Sequence, residues 1–300
     1  MRSQAFARRS VDTLASSEII PILLETVITL QNTDERIARI AASSYLNSAP
    51  LLWSFTKGTR QGTVELVDAV PARCAGLLEA AEVEVALVPI IEYQRIPNGA
   101  IVANICVGSR ERVRSVVLVT RFDNLHDIRS IALDESSRTS AALLKIIFRE
   151  FLGFEPQWIS RTPDVGQMLA DNDGALIIGD PAMTFARDEL HVFDLASLWR
   201  AHTALGFVFA MWMLRDYASA AARRIDFAGA RDEGVARIEE IIDFYEPSLG
   251  LSREELRIYL SENISFSPDD EMGEGMELYF KLAHKHGLIP AVKPLKYVEP

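Results

Sequence analysis

Ile37-Ala38-Arg39-Ile40-Ala41-Ala42-Ser43-Ser44-Tyr45-Leu46-Asn47-Ser48-Ala49-Pro50-Leu51-Leu52-Trp53 is the stretch that decides the fold. Its first six residues have the length and apolarity of a buried strand. Pro50, at the head of a second apolar run, marks the first turn of a helix. Small polar residues therefore sit where a strand ends and a helix begins. Unpaired backbone N–H groups gather at such a junction, and the helix dipole favours an anion there. The expectation is a cleft built around this turn.

Outward from it, strand-like and helix-like runs alternate. Residues 64–67 and 83–88 read as strands, with a helix opened by Pro71 between them, and residues 90–94 as a short helical piece. Residues 100–107 and 113–122 are two more β-rich runs joined by a turn at Gly108-Ser109-Arg110. The polar, turn-prone Asp123-Asn124-Leu125-His126-Asp127 then leads into a second series. Its strands are expected at residues 130–133, 157–161, 175–178 and 191–194. Its helices are expected at 139–152 (stopped by Gly153), 165–169 and 195–202. Residues 207–214 are an apolar run whose aromatic, β-branched start favours a strand over a core helix. The remainder is helical: one helix closed by Pro247, a capping box at Ser252-x-x-Glu255 before the next, and a last one from about Asp270 to His286. Two α/β series and a helical tail predict an α/β, two-lobed fold with a central cleft. The expected division is residues 1–35 as an N-terminal extension, 36–122 with 205–300 as a discontinuous first lobe, and 123–204 as the second. An amphipathic helix is expected over residues 11–30 of the extension.

Three hundred residues, 49% of them hydrophobic, are ample for such a core. A net charge of −11 argues against a general nucleic-acid binder, which needs a basic face. No run reaches the ~18 apolar residues of a membrane span. Glu18 and Glu25 bracket the apolar run near the start, and no small-x-small site follows promptly, so an export signal is not expected and the cytoplasm is the expected compartment. Cys74 and Cys106, without a C-x-x-C, read as buried reduced thiols rather than a disulfide or a structural zinc.

The richest chemical stretch is Asp134-Glu135-Ser136-Ser137-Arg138-Thr139-Ser140, between a strand and an amphipathic helix. Its hydroxyls and free helix N–H groups suit a carboxylate, and Arg138 could add charge. Alternatively Ser137 or Thr139 simply caps the helix. Asn47 and Ser48 form the matching turn in the first series, as ligands or as cap and turn residues. Ser115 begins an apolar strand, and Asp180 ends one at Gly179-Asp180-Pro181, where an Asx-turn is the plain alternative. No nucleophile elbow, phosphate loop or dinucleotide fingerprint occurs. His284 and His286, two apart on a helix, point to different faces, and His126, His191 and His202 are isolated, so no metal site is expected.

Taken together and in order, five stretches resemble the chorismate dehydratases of the futalosine menaquinone pathway. They are residues 44–51, 85–93, 115–119, 134–140 and 176–182, with Asp194-Leu195, Trp199 and Phe207-Val208-Phe209-Ala210 completing the set. The resemblance implies a type II periplasmic-binding-protein-like fold. It also implies a carbon–oxygen lyase that removes water from chorismate to give 3-[(1-carboxyvinyl)oxy]benzoate, with no cofactor. On it, Asn47 and Ser115 are the functional residues, and the turn with Ser137, Thr139 and Ser140 holds a substrate carboxylate; Ser48 and Asp180 remain substrate-binding candidates from their place in the local pattern. The substrate's own side-chain carboxylate is thought to act as base in this family. One departure stands out: the family usually has Thr-Gly-Leu-Pro where this chain has Thr203-Ala204-Leu205-Gly206. The same architecture also leaves open 1,4-dihydroxy-6-naphthoate synthase of the same pathway, or a non-catalytic solute-binding protein.

Overall fold

A computed structural model describes residues 37–187 and 189–299. The N-terminal extension expected over residues 1–35, with its helix, lies outside the described residues. The described chain forms two sheets with helices on their faces.

The first sheet has the order β11-β4-β10-β3-β1-β2, with β1 at Ala38–Ala42, β2 at Val64–Asp68, β3 at Val85–Pro89, β4 at Gly99–Ser109, β10 at Phe207–Arg215 and β11 at Tyr297–Val298. The second has the order β7-β6-β8-β5-β9, with β5 at Val116–Thr120, β6 at Ser130–Asp134, β7 at Gln157–Arg161, β8 at Gly174–Ile178 and β9 at His191–Asp194. Both follow one plan. Parallel strands run second, first, third; then comes an antiparallel strand supplied after a crossing from the other sheet, which is β10 in the first and β5 in the second. The central strands β3, β5 and β8 are buried along their whole length, as strands covered on both faces must be.

The sequence reading put residues 113–122 with the first series. The hydrogen bonds put β5 in the second sheet, between β8 and β9. A strand apolar on both faces carries no signal for which sheet it joins, and adjacency in sequence misleads where the chain crosses. The turn at residues 108–110 is accordingly the start of a crossing, not of a hairpin. Residues 207–214 are the strand expected. Pro247 does not close its helix, which runs over Ile238–Leu249 and ends at Gly250, φ 65°. Pro247 lies in the final turn, where its missing N–H removes a single bond near the frayed end.

Five helices matter for the site: α1 at Ala49–Thr56, α2 at Pro71–Glu79, α3 at Thr139–Ile146, α4 at Leu195–Thr203 and α5 at Phe227–Ala236. A wider π-type turn over Ile147–Leu152 prolongs α3, and Gly153, φ 78°, ends it. α5 lies so close to α1 that a Cβ on Gly234 would stand 1.8 Å from the Pro50 carbonyl oxygen. One residue earlier, the Glu233 carboxylate accepts from Ser54 Oγ at 2.7 Å and Thr59 N–H at 2.9 Å, with Arg60 Nη1 at 3.2 Å. Those Thr59 and Ser54 bonds hold Glu233 down at about 2, so it is charged and locked. Trp199, Tyr279 and the cleft-lining Phe209 all pack edge-on to Phe207, at centroid distances of 5.5, 5.1 and 4.8 Å.

Ala204 is the left-handed residue that ends α4, at φ 60°. Left-handed backbone costs a non-glycine residue roughly 1–2 kcal/mol, partly offset by the lower entropy of an unfolded alanine, about 0.4–1 kcal/mol. Ala204→Gly should therefore raise stability in urea by about 0.5–1 kcal/mol; a loss of stability would show that Ala204 carries no strain.

Candidate active site

The cleft is lined from both sheets. On one side the chain leaves β1 through Ser43, Ser44 and extended Tyr45, makes a short 3-10 turn at Leu46–Ser48, and enters α1. Ser48 N–H closes that turn on the Tyr45 carbonyl at 2.9 Å. Ser48 occupies the cap position of α1, yet its hydroxyl makes no capping bond; it donates to Asn47 Oδ1 at 3.1 Å. Asn47, held by this bond, lines the cleft.

On the other side, β6 ends at Asp134 and the chain turns into α3. Asp134 is buried, and its Oδ1 accepts from both Ser136 N–H at 2.8 Å and Ser136 Oγ at 2.6 Å. Burial raises the Asp134 carboxyl, against the pull of these Ser136 bonds. This turn leaves α3 without a side-chain cap. Ser137 Oγ is buried and bonded to no protein group. Neither Ser137 nor Thr139 is the cap that the plainer reading offered. Thr139 Oγ1 accepts from Ile91 N–H at 3.3 Å, and Tyr279 donates to the Thr139 carbonyl at 3.0 Å. The start of α3 is thereby fastened to the segment after β3 and to the last helix.

Between these walls lies a pocket of about 60 Å³. Its polar rim is Ser43, Tyr45, Asn47, Ser48 and residues 137–140, with Arg138 its one cationic side chain; its apolar lining comes from Pro71, Leu87 and Pro89, Val107, Val116, Ile178 and Phe209. The helix starts of α1 and α3 meet at one space floored by apolar strand ends. That combination suits an anion carrying an apolar body. Sites that bury a small organic ligand usually measure roughly 300–1,000 Å³, so the walls must part to admit one.

Of the residues singled out by sequence, Asn47, Ser48, Ser137, Thr139 and Ser140 come together around the pocket. Ser115 and Asp180 do not line it. Ser115 is fully buried behind it; its Oγ lies 3.4 Å from the Val113 carbonyl, and its own carbonyl accepts from Gly179 N–H at 2.8 Å. Asp180 makes no Asx-turn. Its Oδ1 accepts from Leu46 N–H, across the cleft, at 3.0 Å. Beside it Gly179, φ 70°, lies flat against Tyr45, whose ring carbons would stand 2.6 Å from any Cβ there. Phe209, Leu87 and Val107 are site residues that sequence reading did not single out. On strands buried on both faces, no alternation distinguishes cleft from core.

Both thiols are buried, and burial pushes them up, Cys74 to about 12. Among the described residues no group of three or more His, Cys, Asp or Glu side chains could hold a metal ion, and no helix is long and apolar enough to cross a membrane.

The architecture is shared with solved structures. A protein from Archaeoglobus fulgidus superposes with a TM-score of 0.69 at 19% identity, over 84% of this chain and 98% of its own. A Candida albicans gene product described as having the generic periplasmic binding protein fold gives 0.62 at 13%, over 86% and 92%. The periplasmic aliphatic sulphonate binding protein SsuA from Escherichia coli gives 0.57 at 13%, over 88% and 94%. This is the two-lobed α/β fold of type II periplasmic-binding-protein-like proteins, with a cleft between the lobes. At the level of sequence, the family described as menaquinone biosynthesis matches residues 38–285. A chorismate dehydratase of Thermus thermophilus is 30% identical over 235 residues, 72% of this chain and 84% of its own. The chain belongs to the menaquinone-biosynthesis family.

Burial pushes the Asp180 carboxyl up to about 6, and the Leu46 N–H lowers it only in part. An unfolded aspartate titrates near 3.8, so between 3.8 and about 6 the folded chain keeps a proton that the unfolded chain has lost. Stability from this group is therefore full below that window and falls as pH rises through it, by up to about 3 kcal/mol. Asp180→Asn should abolish this fall. Urea denaturation of both proteins across the window checks it; parallel pH profiles would refute the assignment.

Proposed function

We propose that the protein is a chorismate dehydratase of the futalosine route to menaquinone, a carbon–oxygen lyase acting in the cytoplasm. It would convert chorismate to 3-[(1-carboxyvinyl)oxy]benzoate and water. The observation that carries this reading is the pairing of two uncapped helix starts, α1 and α3, over one apolar slot. Chorismate is a dianion whose two carboxylates flank a six-membered ring. The turn at residues 137–140, with the unpartnered Ser137 hydroxyl, suits one carboxylate. Asn47 and Ser48 suit the ring hydroxyl or the second carboxylate. Phe209, Val107 and Ile178 offer the ring an apolar seat.

The chemistry asks little of such a site. The C–H bond at the ring carbon bearing the ether breaks, and its electron pair forms the new ring double bond. The C–O bond of the neighbouring hydroxyl breaks, and that oxygen leaves as water with one proton. No net oxidation occurs, and the ring becomes aromatic. The proton can pass through the substrate's own side-chain carboxylate, which leaves the protein to orient and to stabilise charge. Ser115 and Asp180, set back from the pocket, fit as positioning residues for its wall. For entry, Tyr45 and Leu46 must separate from Gly179 and Asp180. The 30% identical dehydratase of Thermus thermophilus supports the reading over 1,4-dihydroxy-6-naphthoate synthase or a solute-binding protein.

Purified protein incubated with chorismate should consume it and release an enolpyruvyl benzoate lighter by one water; tight binding without turnover would favour the solute-binding reading. Asn47→Ala should lower kcat by about 10²–10³ with unchanged melting temperature. An unaltered kcat would remove Asn47 from the chemistry. Ser137→Ala should chiefly raise KM, by about tenfold. A lower melting temperature with unchanged KM would instead mark Ser137 as structural.

A further inference from the structure

A second cavity, of about 600 Å³, lies away from the cleft between the β4–β5 crossing and the C-terminal helices. Arg112, Arg114 and Arg187 line it, together with Leu251, Asn263 and one carboxylate, that of Glu255. We propose that this cavity is a second anion site, one that takes a small oxyanion of charge two or more. The proposal stands apart from the function assigned to the cleft.

Three observations carry it. First, the crossing is strained in a way that delivers Arg114 to the cavity. Arg114 has a left-handed backbone, φ 61°, which a non-glycine side chain adopts only when its surroundings impose it. Asp194 imposes it by accepting from Val113 N–H at 3.2 Å and Arg114 N–H at 2.6 Å. The Arg114 side chain then reaches Glu255, Nη2 to Oε1 at 2.7 Å.

Second, positive charge is in excess there. Arg112 is only 3.9 Å from Asp194, but that carboxylate also caps α4 by accepting from Ser197 N–H at 3.1 Å. Glu255 is shared with the Ser252 capping box. Among the described residues Arg187 has no carboxylate within ion-pair distance; its guanidinium lies 5.7 Å over the Phe185 ring. Burial, and then the facing Arg114 and Arg112, pull the Arg187 guanidinium below its ordinary range. Three guanidiniums line one cavity and share two carboxylates, Asp194 and Glu255, which leaves a local positive excess on a chain of net charge −11 that an oxyanion relieves; guanidinium forks match carboxylate and phosphate oxygens alike.

Third, the site is wired to the cleft by the backbone. Arg114 is followed by Ser115, which holds Gly179, and by Val116; both Gly179 and Val116 line the cleft.

Isothermal titration of the full chain with citrate, and in a second arm with pyrophosphate, at constant ionic strength tests the proposal. Saturable binding with one ion per chain is expected. Binding of one but not the other tells a polycarboxylate site from a polyphosphate site. Arg187→Ala and, independently, Arg112→Ala should each weaken it by about tenfold, whereas Arg138→Ala in the cleft should leave it unchanged. Absent saturation, full-strength binding to both cavity variants, or loss confined to Arg138→Ala would overturn the proposal.

Discussion

One backbone N–H, that of Leu46, meets one carboxylate, that of Asp180, at the seam between the two halves of the cleft. Around this contact the Tyr45 ring lies on Gly179, and Ala72 N–H reaches the Ser136 carbonyl at 3.2 Å. The rest of the site depends on this seam. It ties the start of α1 to the opposite wall, and so bounds the space between the starts of α1 and α3. A glycine is required opposite Tyr45 because any side chain would hold the walls apart. At Asp180 a half-buried carboxylate is met by a donor from the opposite wall.

Much of this was legible in sequence, and the illegible parts share a cause. The strand–turn–helix junctions at Tyr45–Ser48 and at Ser136–Thr139 can be read because helix starts have a local chemistry of small polar residues and proline. Their convergence on one pocket could be anticipated from the fold class. By contrast, the sheet to which β5 belongs, the apolar cleft residues on β3, β4 and β10, and the retreat of Ser115 and Asp180 behind the pocket wall are set by long-range pairing. Val116 and Leu118 are as buried as any core strand residue, and burial alone does not say which neighbour does the burying. Pro247 is a failure of a different kind: it breaks a local rule in a terminal helical turn, where the rule is weakest.

The pocket is chemically plain: hydroxyls, one amide, one guanidinium and carbon. Such a site works through placement. That explains why so much of the molecule's bonding is devoted to holding backbone rather than supplying reactive groups. Glu233 fixes the far end of α1, Gly234 lets α5 rest on Pro50, and Tyr279 anchors the first residue of α3. These residues lie outside the pocket, yet each constrains a helix whose first turn faces it.

The exchange of one strand between the sheets also fixes the order in which the molecule can be completed during synthesis. The second sheet is built from β5 to β9, a continuous stretch ending at Asp194. The first sheet lacks β10, the strand between β3 and β4, until Arg215 has been made. Until then β3 and β4 present apolar unpaired edges separated by a missing strand, the arrangement most open to wrong partners. A lobe that can form early thus stands in the chain ahead of the strand that closes the other. Its folding draws Ser109 and Phe207, almost a hundred residues apart in sequence, toward their paired register, shortening the loop whose closure would otherwise limit the rate.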